Sequence, residues 1–332
     1  MMKTLSATFE RFGGVMLLPV ILALIAFLLI GRPSTWVTLT VAGLAMGMMI
    51  FLMASGLSLI FGLMDVLNFG HSAFVSFGAF IAASVLASLG VWVSGGSAAL
   101  NILALMAAIG AATAFGALAG WAFEHVIVKP VYKDHLRQIL ITMGALIVAD
   151  EIILMIWGGS PVPVPRPAVL TGSLVIGDVS IEIYRIFAFL LGLAVYVAMH
   201  VALNRTRIGL LIRAGVENRE MVEALGFRID RLFIAVFMAG SALAGLGGVM
   251  WALYREEVHA SMGADMMILV FIVIIIGGLG SIGGCFIGAL LVALVANYGG
   301  FLVPKLALVS NILVMGAILM WRPRGRYAVT NR

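Results

Sequence analysis

Long apolar runs separated by short polar islands make up nearly the whole chain. A bilayer-spanning helix needs about 20 apolar residues, within a range of about 17 to 25. On that measure the runs predict spans near 14–30, 36–62, 70–90, 98–127, 138–158, 186–203, 232–253, 266–279, 284–302 and 306–321, about ten in all. The run 266–279 is short for a crossing and predicts a re-entrant or half-helix. The pattern therefore predicts an all-α polytopic membrane protein. It is a single transmembrane domain over 1–332, with about ten segments including broken or half-helices. The first run resembles a signal peptide in length. Gly31-Arg32-Pro33 follows it in place of a small-x-small cleavage site, so an uncleaved span is expected.

The polar islands set the orientation. Lys3 and Arg11, then Lys129, Lys133 and Arg137, the segment 204–231, and Arg322, Arg324 and Arg326 carry the positive charge. By the positive-inside rule these face the cytoplasm, with both termini there. The outer side then holds Arg32, the turn 94–97, and the segments 159–185 and 255–265. Segment 159–185 opens on PVPVPRP and continues with alternating Val and Ile around a Gly-Asp pair, which predicts a small hairpin capping the outer face.

The densest polar island is 204–230, where Arg205, Arg207, Arg213, Arg219 and Arg228 mix with Glu217, Glu220, Glu223 and Asp230. Apolar residues alternate with charges from 215 to 226, and Gly226 is a natural helix stop. Two readings fit this pattern: a helix on which a soluble partner docks, or a basic loop that only fixes topology.

Two interruptions break the apolar runs without a proper loop. The first, DVLNFGHS at 65–72, carries Asn68, His71 and Ser72. The second, GGLGSIGG at 277–284, has five glycines in eight positions: Gly277, Gly278, Gly280, Gly283 and Gly284. Each glycine weakens a helix by about 1 kcal/mol. Unwound backbone at membrane depth survives only inside protein or along a wet cavity, where transporters place substrate paths. Asn68, His71, Ser72 and the five glycines are accordingly the candidate lining or gating positions. For the first interruption a plain interfacial turn is also expected, since about 26 residues on each side suffice to cross.

Acids within spans default to functional candidates. Asp150 and Glu151 are such acids, and only one of two neighbours on a helix can face a lumen squarely. Glu151 is the candidate for the path. Glu124 and His125, ahead of Lys129, predict an interfacial ion pair, and Asn297 an interhelical hydrogen bond.

Composition narrows the function further. The chain of 332 residues is 63% hydrophobic and 11% charged, against about 25% charged in a soluble domain. Its net charge of +5 lies in short clusters beside spans, as topology signals do, so nucleic acid is not expected as a partner. The single cysteine, Cys285, gives neither a disulfide framework nor a zinc cluster. Thirty-nine glycines predict close helix packing. His71 beside Ser72 lacks the geometry of a base–nucleophile pair, no Gly-x-Ser-x-Gly elbow occurs, and no catalytic residue is expected. No phosphate-binding Gly-x-x-x-x-Gly-Lys-Ser/Thr loop occurs either, so any ATP that drives this protein is bound by another chain. A secondary transporter driven by an ion gradient is the alternative, with Asp150 or Glu151 as the titrating acid.

Several segments together carry a resemblance. GLSLIFGLMDVLNFGHSAFVSFGAF (56–80), KPVYKDHLRQILITMG (129–144), RTRIGLLIRAGVENREMVEALGFRIDRLF (205–233), AGSALAGLGGVMWA and FIVIIIGGLGSIGGCFIGALLVALV resemble permease subunits of the branched-chain amino-acid ABC importers, in the family's order. The likeness is nearest to the H-type permease and covers most of the chain beyond about residue 37. It implies the importer permease fold and a bacterial inner-membrane location. It also implies four partners: a second, M-type permease in a heterodimer, two ATP-binding subunits, and a periplasmic substrate-binding protein. Branched-chain or related small amino acids are the implied cargo, with urea and short amides carried by the same family. A coupling role for 204–231 is implied too: Glu217, Asn218 and Arg219 lead into a short helix ending in Glu223-Ala224-Leu225-Gly226. Leu225 stands where the family's fuller pattern has Ala.

Overall fold

The computed structural model describes residues 17–306 apart from 133 and 218, together with 313, 316 and 320. Lys133, Asn218, the charged termini and nearly all of the tenth expected span, 306–321, lie outside these residues.

Helices account for the expected runs, and each boundary has a local cause. Helix α1 covers Leu17–Ile30. Pro33 opens α2, Pro33–Met64, at a position where its missing N–H costs nothing. Asp65 closes α2 in the left-handed region at φ 54°. Helix α3, His71–Ser88, is followed by the single turn α4, Gly90–Ser94, and by α5, Ala98–Phe123. The last of these runs on through a π turn, Glu124–Val128, and a 3-10 turn, Lys129–Val131. The Asp134 side chain accepts from the Arg137 amide and caps α6, His135–Trp157.

The outer segment then holds strand β1, Val162–Pro163, and the hairpin β2, Ser173–Ile176, with β3, Val179–Glu182. Ile176 pairs with Val179 across a Gly177-Asp178 turn, as the alternation predicts. Next come α7, Ile183–Arg205, α8, Arg207–Glu217, α9, Arg219–Ala224, and α10, Ile229–Arg255. Strand β4, Glu257–Val258, pairs antiparallel with β1. It is followed by α11, Met262–Gly277, and by α12, Ile282–Leu302, whose first turn is capped by the Ser281 hydroxyl.

Among the described residues seven helices are long and apolar enough to cross a membrane: α2, α3, α5, α6, α7, α10 and α12. Two shorter apolar helices are α1 and α11. This is an all-α polytopic membrane architecture. Its middle is α2 and α10. Helix α10 packs on α2, α3 and α5, while α2 also meets α7, α11 and α12. Glycines make these approaches possible: Gly240 of α10 lies against Gly56 of α2, Gly245 against Ala112 of α5, and Gly248 against Val75 and Ala79 of α3. Helices α6 and α7 turn most of their surface outward.

Helix α11 is short for a physical reason. After Arg255 the residue Glu256 takes a left-handed conformation, φ 59°, and the chain folds back along α3. There Ser76 Oγ donates to the Ala260 carbonyl at 3.3 Å and accepts from the Gly263 amide at 3.0 Å. The helix thus starts level with the second turn of α3. Its 16 residues reach about 24 Å, less than the ~30 Å hydrocarbon thickness.

One local expectation changes. The ion pair expected at the end of α5 is replaced by a buried Glu124 that accepts from the Tyr132 hydroxyl. Asn297 makes the expected interhelical hydrogen bond, donating at 3.4 Å to the Met46 thioether of α2, and also donates at 2.9 Å to Ala293 of its own helix.

Candidate functional site

The first interruption is not an interfacial turn. Asp65 is exposed, but Val66, Asn68, His71 and Ser72 are buried. His71 Nε2 lies 3.0 Å from the Met53 carbonyl, about three turns back along α2. The chain therefore leaves α2 at its end, returns toward the interior and starts α3 there. Freed backbone groups in such a loop need partners, and α6 supplies them. Gln138 Oε1 accepts from the Leu67 amide at 3.4 Å, and Thr142 Oγ1 from the Phe69 amide at 3.2 Å. Gln138 Nε2 also donates to the Val131 and Tyr132 carbonyls, at 3.2 and 3.0 Å.

Sequence reasoning missed Gln138 and Thr142. The available signal was two polar side chains four apart at the start of an apolar span, on one helix face. Replacing Gln138 with leucine leaves buried groups unpaired on both sides, at about 1–3 kcal/mol each. The expected result is a lower midpoint of thermal aggregation in detergent for Gln138→Leu. Leu136→Ala, on the exposed side of the same helix, is expected to match the parent chain.

Of the candidate lining residues, Ser72 Oγ donates to the Phe69 carbonyl at 3.2 Å. Both amide atoms of Asn68 and His71 Nδ1 are buried without a hydrogen-bond partner among the described residues, as are the hydroxyls of Ser58 and Ser241. Buried polar atoms left open are where water or a polar solute can bind. Glu151 is exposed on α6, unlike Asn68, His71 and Ser72.

The second interruption sits at the C-terminal end of α2. Gly280, at φ +79°, faces the Gly62 backbone, and Gly277 lies against Gly284. Gly278, at φ 90°, ends α11 by donating to Ile274 at 2.8 Å, and Gly283 belongs to the first turn of α12. Helix α11 joins the two interruptions: it begins beside Ser76, ends at the glycines, and packs the Phe271 ring against Phe69 at a tilt of 45°, with centroids 5.1 Å apart.

The polar island forms two helices where one, 215–226, was expected. Ile208, Leu211 and Ile212, spaced i, i+3, i+4, give α8 an apolar stripe. Ile212 is buried with Leu59 of α2 and Val236 of α10. In α9, Val222 is buried with Ile229 and Phe233 of α10, and Met64 at the end of α2 packs on this cluster. Glu217, Glu223, Ala224, Leu225 and Gly226 are exposed, as is Met221, and Gly226 stops the helix at φ +88°. Arg219 opens α9.

At the other end of α10, Arg166 is a hub that sequence reasoning passed over. Its Nε and Nη2 donate to the Leu253 carbonyl at 3.1 and 2.8 Å. Nη2 is also 2.8 Å from Glu256 Oε1, and the guanidinium carbon stands 4.8 Å from the Tyr184 ring centroid. With the β1–β4 pairing this ties segment 159–185 to 255–265, the two stretches assigned to the outer face. Among the described residues no group of three or more His, Cys, Asp or Glu is placed to hold a metal.

Comparison with known proteins decides the family. The profile described as "Branched-chain amino acid transport system / permease component" matches residues 39–321. The chain belongs to this family. The permease is 26% identical to the high-affinity branched-chain amino acid transport system permease protein BraD of Pseudomonas aeruginosa, over 86% of this chain and 93% of that one. It is 23% identical to LivH of Escherichia coli K12, over 85% and 92%. It is also 24% identical to the probable permease protein LivM of Methanocaldococcus jannaschii, over 72% and 75%. No solved structure matches the permease significantly.

Proposed function

We propose that this permease is a membrane subunit of an ATP-driven, binding-protein-dependent importer of branched-chain or related small amino acids. It sits in a bacterial inner membrane with both termini cytoplasmic. ATP is bound and hydrolysed by two partner subunits, and the permease contributes no catalytic residue. A second permease completes the pore, which accords with the likeness to both LivH and LivM. A periplasmic binding protein delivers cargo to the surface built by 159–185 and 255–265.

The observation that carries this reading is the seat of α9. One side of it, Val222, is fixed to Met64, Ile229 and Phe233, at the ends of the two central helices. The other side presents Met221 and Leu225, 61% and 70% exposed, beside Glu217 and Glu223. A push on this surface is transmitted to α2 and α10. Helix α2 leads into the buried loop with Asn68, His71 and Ser72, and its end holds the glycine turn 277–284. Movement of α2 would open or close the polar positions along α11 to cargo.

Leu225→Glu places a charge on the exposed surface without disturbing the Val222 seat. The variant is expected to fold and to copurify with the second permease while losing the ATP-binding subunits. Uptake of labelled leucine by membrane vesicles should then fall at least about tenfold, the effect of roughly 1.4 kcal/mol at an interface. Retention of the ATP-binding subunits and of uptake would overturn the docking role.

A further inference from the structure

Helices α7 and α10 stand apart on the α8 side of the molecule, and the space between them is an apolar groove of about 500 Å³. Small residues create it. Ala202 on α7 and Ala239 on α10 leave room that larger side chains would fill, Leu59 forms part of the floor, and Ile208 and Ile212 of α8 form one end. At that end a second cavity of about 280 Å³ is lined by Phe227, Arg228 and Arg231. Leu232 and Ala235 line both cavities, so the apolar slot adjoins a pocket edged by Arg228 and Arg231. Arg228 immediately precedes α10 and Arg231 lies in its first turn, and both line this cavity. Both are exposed, and neither forms an ion pair with a carboxylate among the described residues.

We propose that these adjoining cavities bind one anionic phospholipid of the surrounding bilayer, with an acyl chain in the groove and the headgroup phosphate on Arg228 and Arg231. The proposal rests on the reading that α8 and α9 lie at the cytoplasmic membrane surface. Each half of the site asks for a different half of the ligand. A wholly apolar occupant makes no use of the two arginines, and a free phosphate leaves the groove empty. A lipid of negative charge satisfies both, and the inner leaflet is where basic pockets between helices meet such headgroups. A bound lipid would also wedge α8 against α7 and α10, so that membrane composition sets how stiffly α9 is seated.

The test is native mass spectrometry of the full chain in detergent, with palmitoyl-oleoyl phosphatidylglycerol and the phosphatidylcholine of identical chains as probes. The expected result is retention of the phosphatidylglycerol on the order of tenfold above the phosphatidylcholine, from two arginines at the surface. The double variant R228Q/R231Q should lose that preference while keeping weak binding of both lipids. Ala239→Phe, which fills the groove, should lose both, and its retained size-exclusion profile separates this from unfolding. Equal retention of the two lipids by the parent chain would overturn the proposal, as would displacement by inorganic phosphate alone. So would crosslinking of the Ala239→Cys variant to the second permease rather than to a photoactivatable phosphatidylglycerol in the assembled transporter. None of these readouts involves the ATP-binding subunits, so loss of docking in Leu225→Glu and loss of lipid in R228Q/R231Q remain separate results.

Discussion

Replacing Gly248 with leucine is expected to abolish accumulation of folded protein. A Cβ at position 248 would meet the Val75 carbonyl and, at 3.2 Å, the Ala79 amide. Both are backbone atoms of α3, so no flexible side chain can yield. Helix α10 has no free direction in which to retreat. Its Gly240 already lies against the Gly56 backbone of α2, and the Ser241 backbone lies beside Gly116 of α5. Overpacking a tight core commonly costs about 1–3 kcal/mol. The backbone clash with α3, with α2 and α5 blocking retreat, puts Gly248→Leu beyond the upper end of that range. Fluorescence-detected size exclusion of detergent extracts should show loss of the monodisperse peak, with Gly248→Ala intermediate. Gly110→Ala, where an added Cβ meets nothing within 4 Å, should keep the peak and gain up to about 1 kcal/mol of helix propensity. A normal peak for Gly248→Leu would mean that α10 is not packed on α3 as described.

The same glycines show what a sequence yields and where it stops. Their number predicts close packing, but nothing local tells Gly248, pressed on α3, from Gly110, which faces open space. Span positions were legible because apolar run length is a local quantity, and β2–β3 was legible because its Gly-Asp turn and alternation are adjacent in the chain. The loop at 65–72 was not. Length arithmetic was satisfied by a surface turn, whereas the actual path depends on Gln138 and Thr142, more than 70 residues away in sequence. Helix α8 was obscured for a different reason. Its arginines dominated the polar island, and the stripe of Ile208, Leu211 and Ile212 becomes informative only once α2 and α10 are present to bury Ile212. Arg166 sat unnoticed in PVPVPRP because its acceptors, at Leu253 and Tyr254, lie 87 and 88 residues further on.

Arg166→Met should uncouple the outer surface from the rest of the molecule. The guanidinium is 11% exposed and holds the Leu253 and Tyr254 carbonyls together with Glu256, while Glu182 lies 3.9 Å from its other arm. Breaking a fully buried pair costs about 3–5 kcal/mol. Glu256 is 57% exposed and regains water, so the loss here is roughly 2–3 kcal/mol, most of it from the stranded carbonyls. That is large for a seam otherwise held by two two-residue strands, the Val164–Glu256 backbone bond and the buried Val164 and Val258. Hydrogen exchange should rise at the Val162 and Val164 amides and at 256–258 while the β2–β3 hairpin and the helices keep their protection. In the importer proposed above, ATP hydrolysis by the purified assembly without binding protein should persist, since α9 sits at the opposite end of α10. Uptake stimulated by the binding protein should fall on the order of tenfold, which corresponds to about 1.4 kcal/mol. Arg166→Lys should not rescue it, because a single ammonium cannot reach the carbonyls and the carboxylate in the fork that guanidinium provides. Glu256→Gln keeps the carbonyl contacts and should show the smaller defect. If Arg166→Met leaves exchange at the seam and stimulated uptake unchanged, the outer face is held by something other than this arginine and the delivery surface must be sought elsewhere on the molecule.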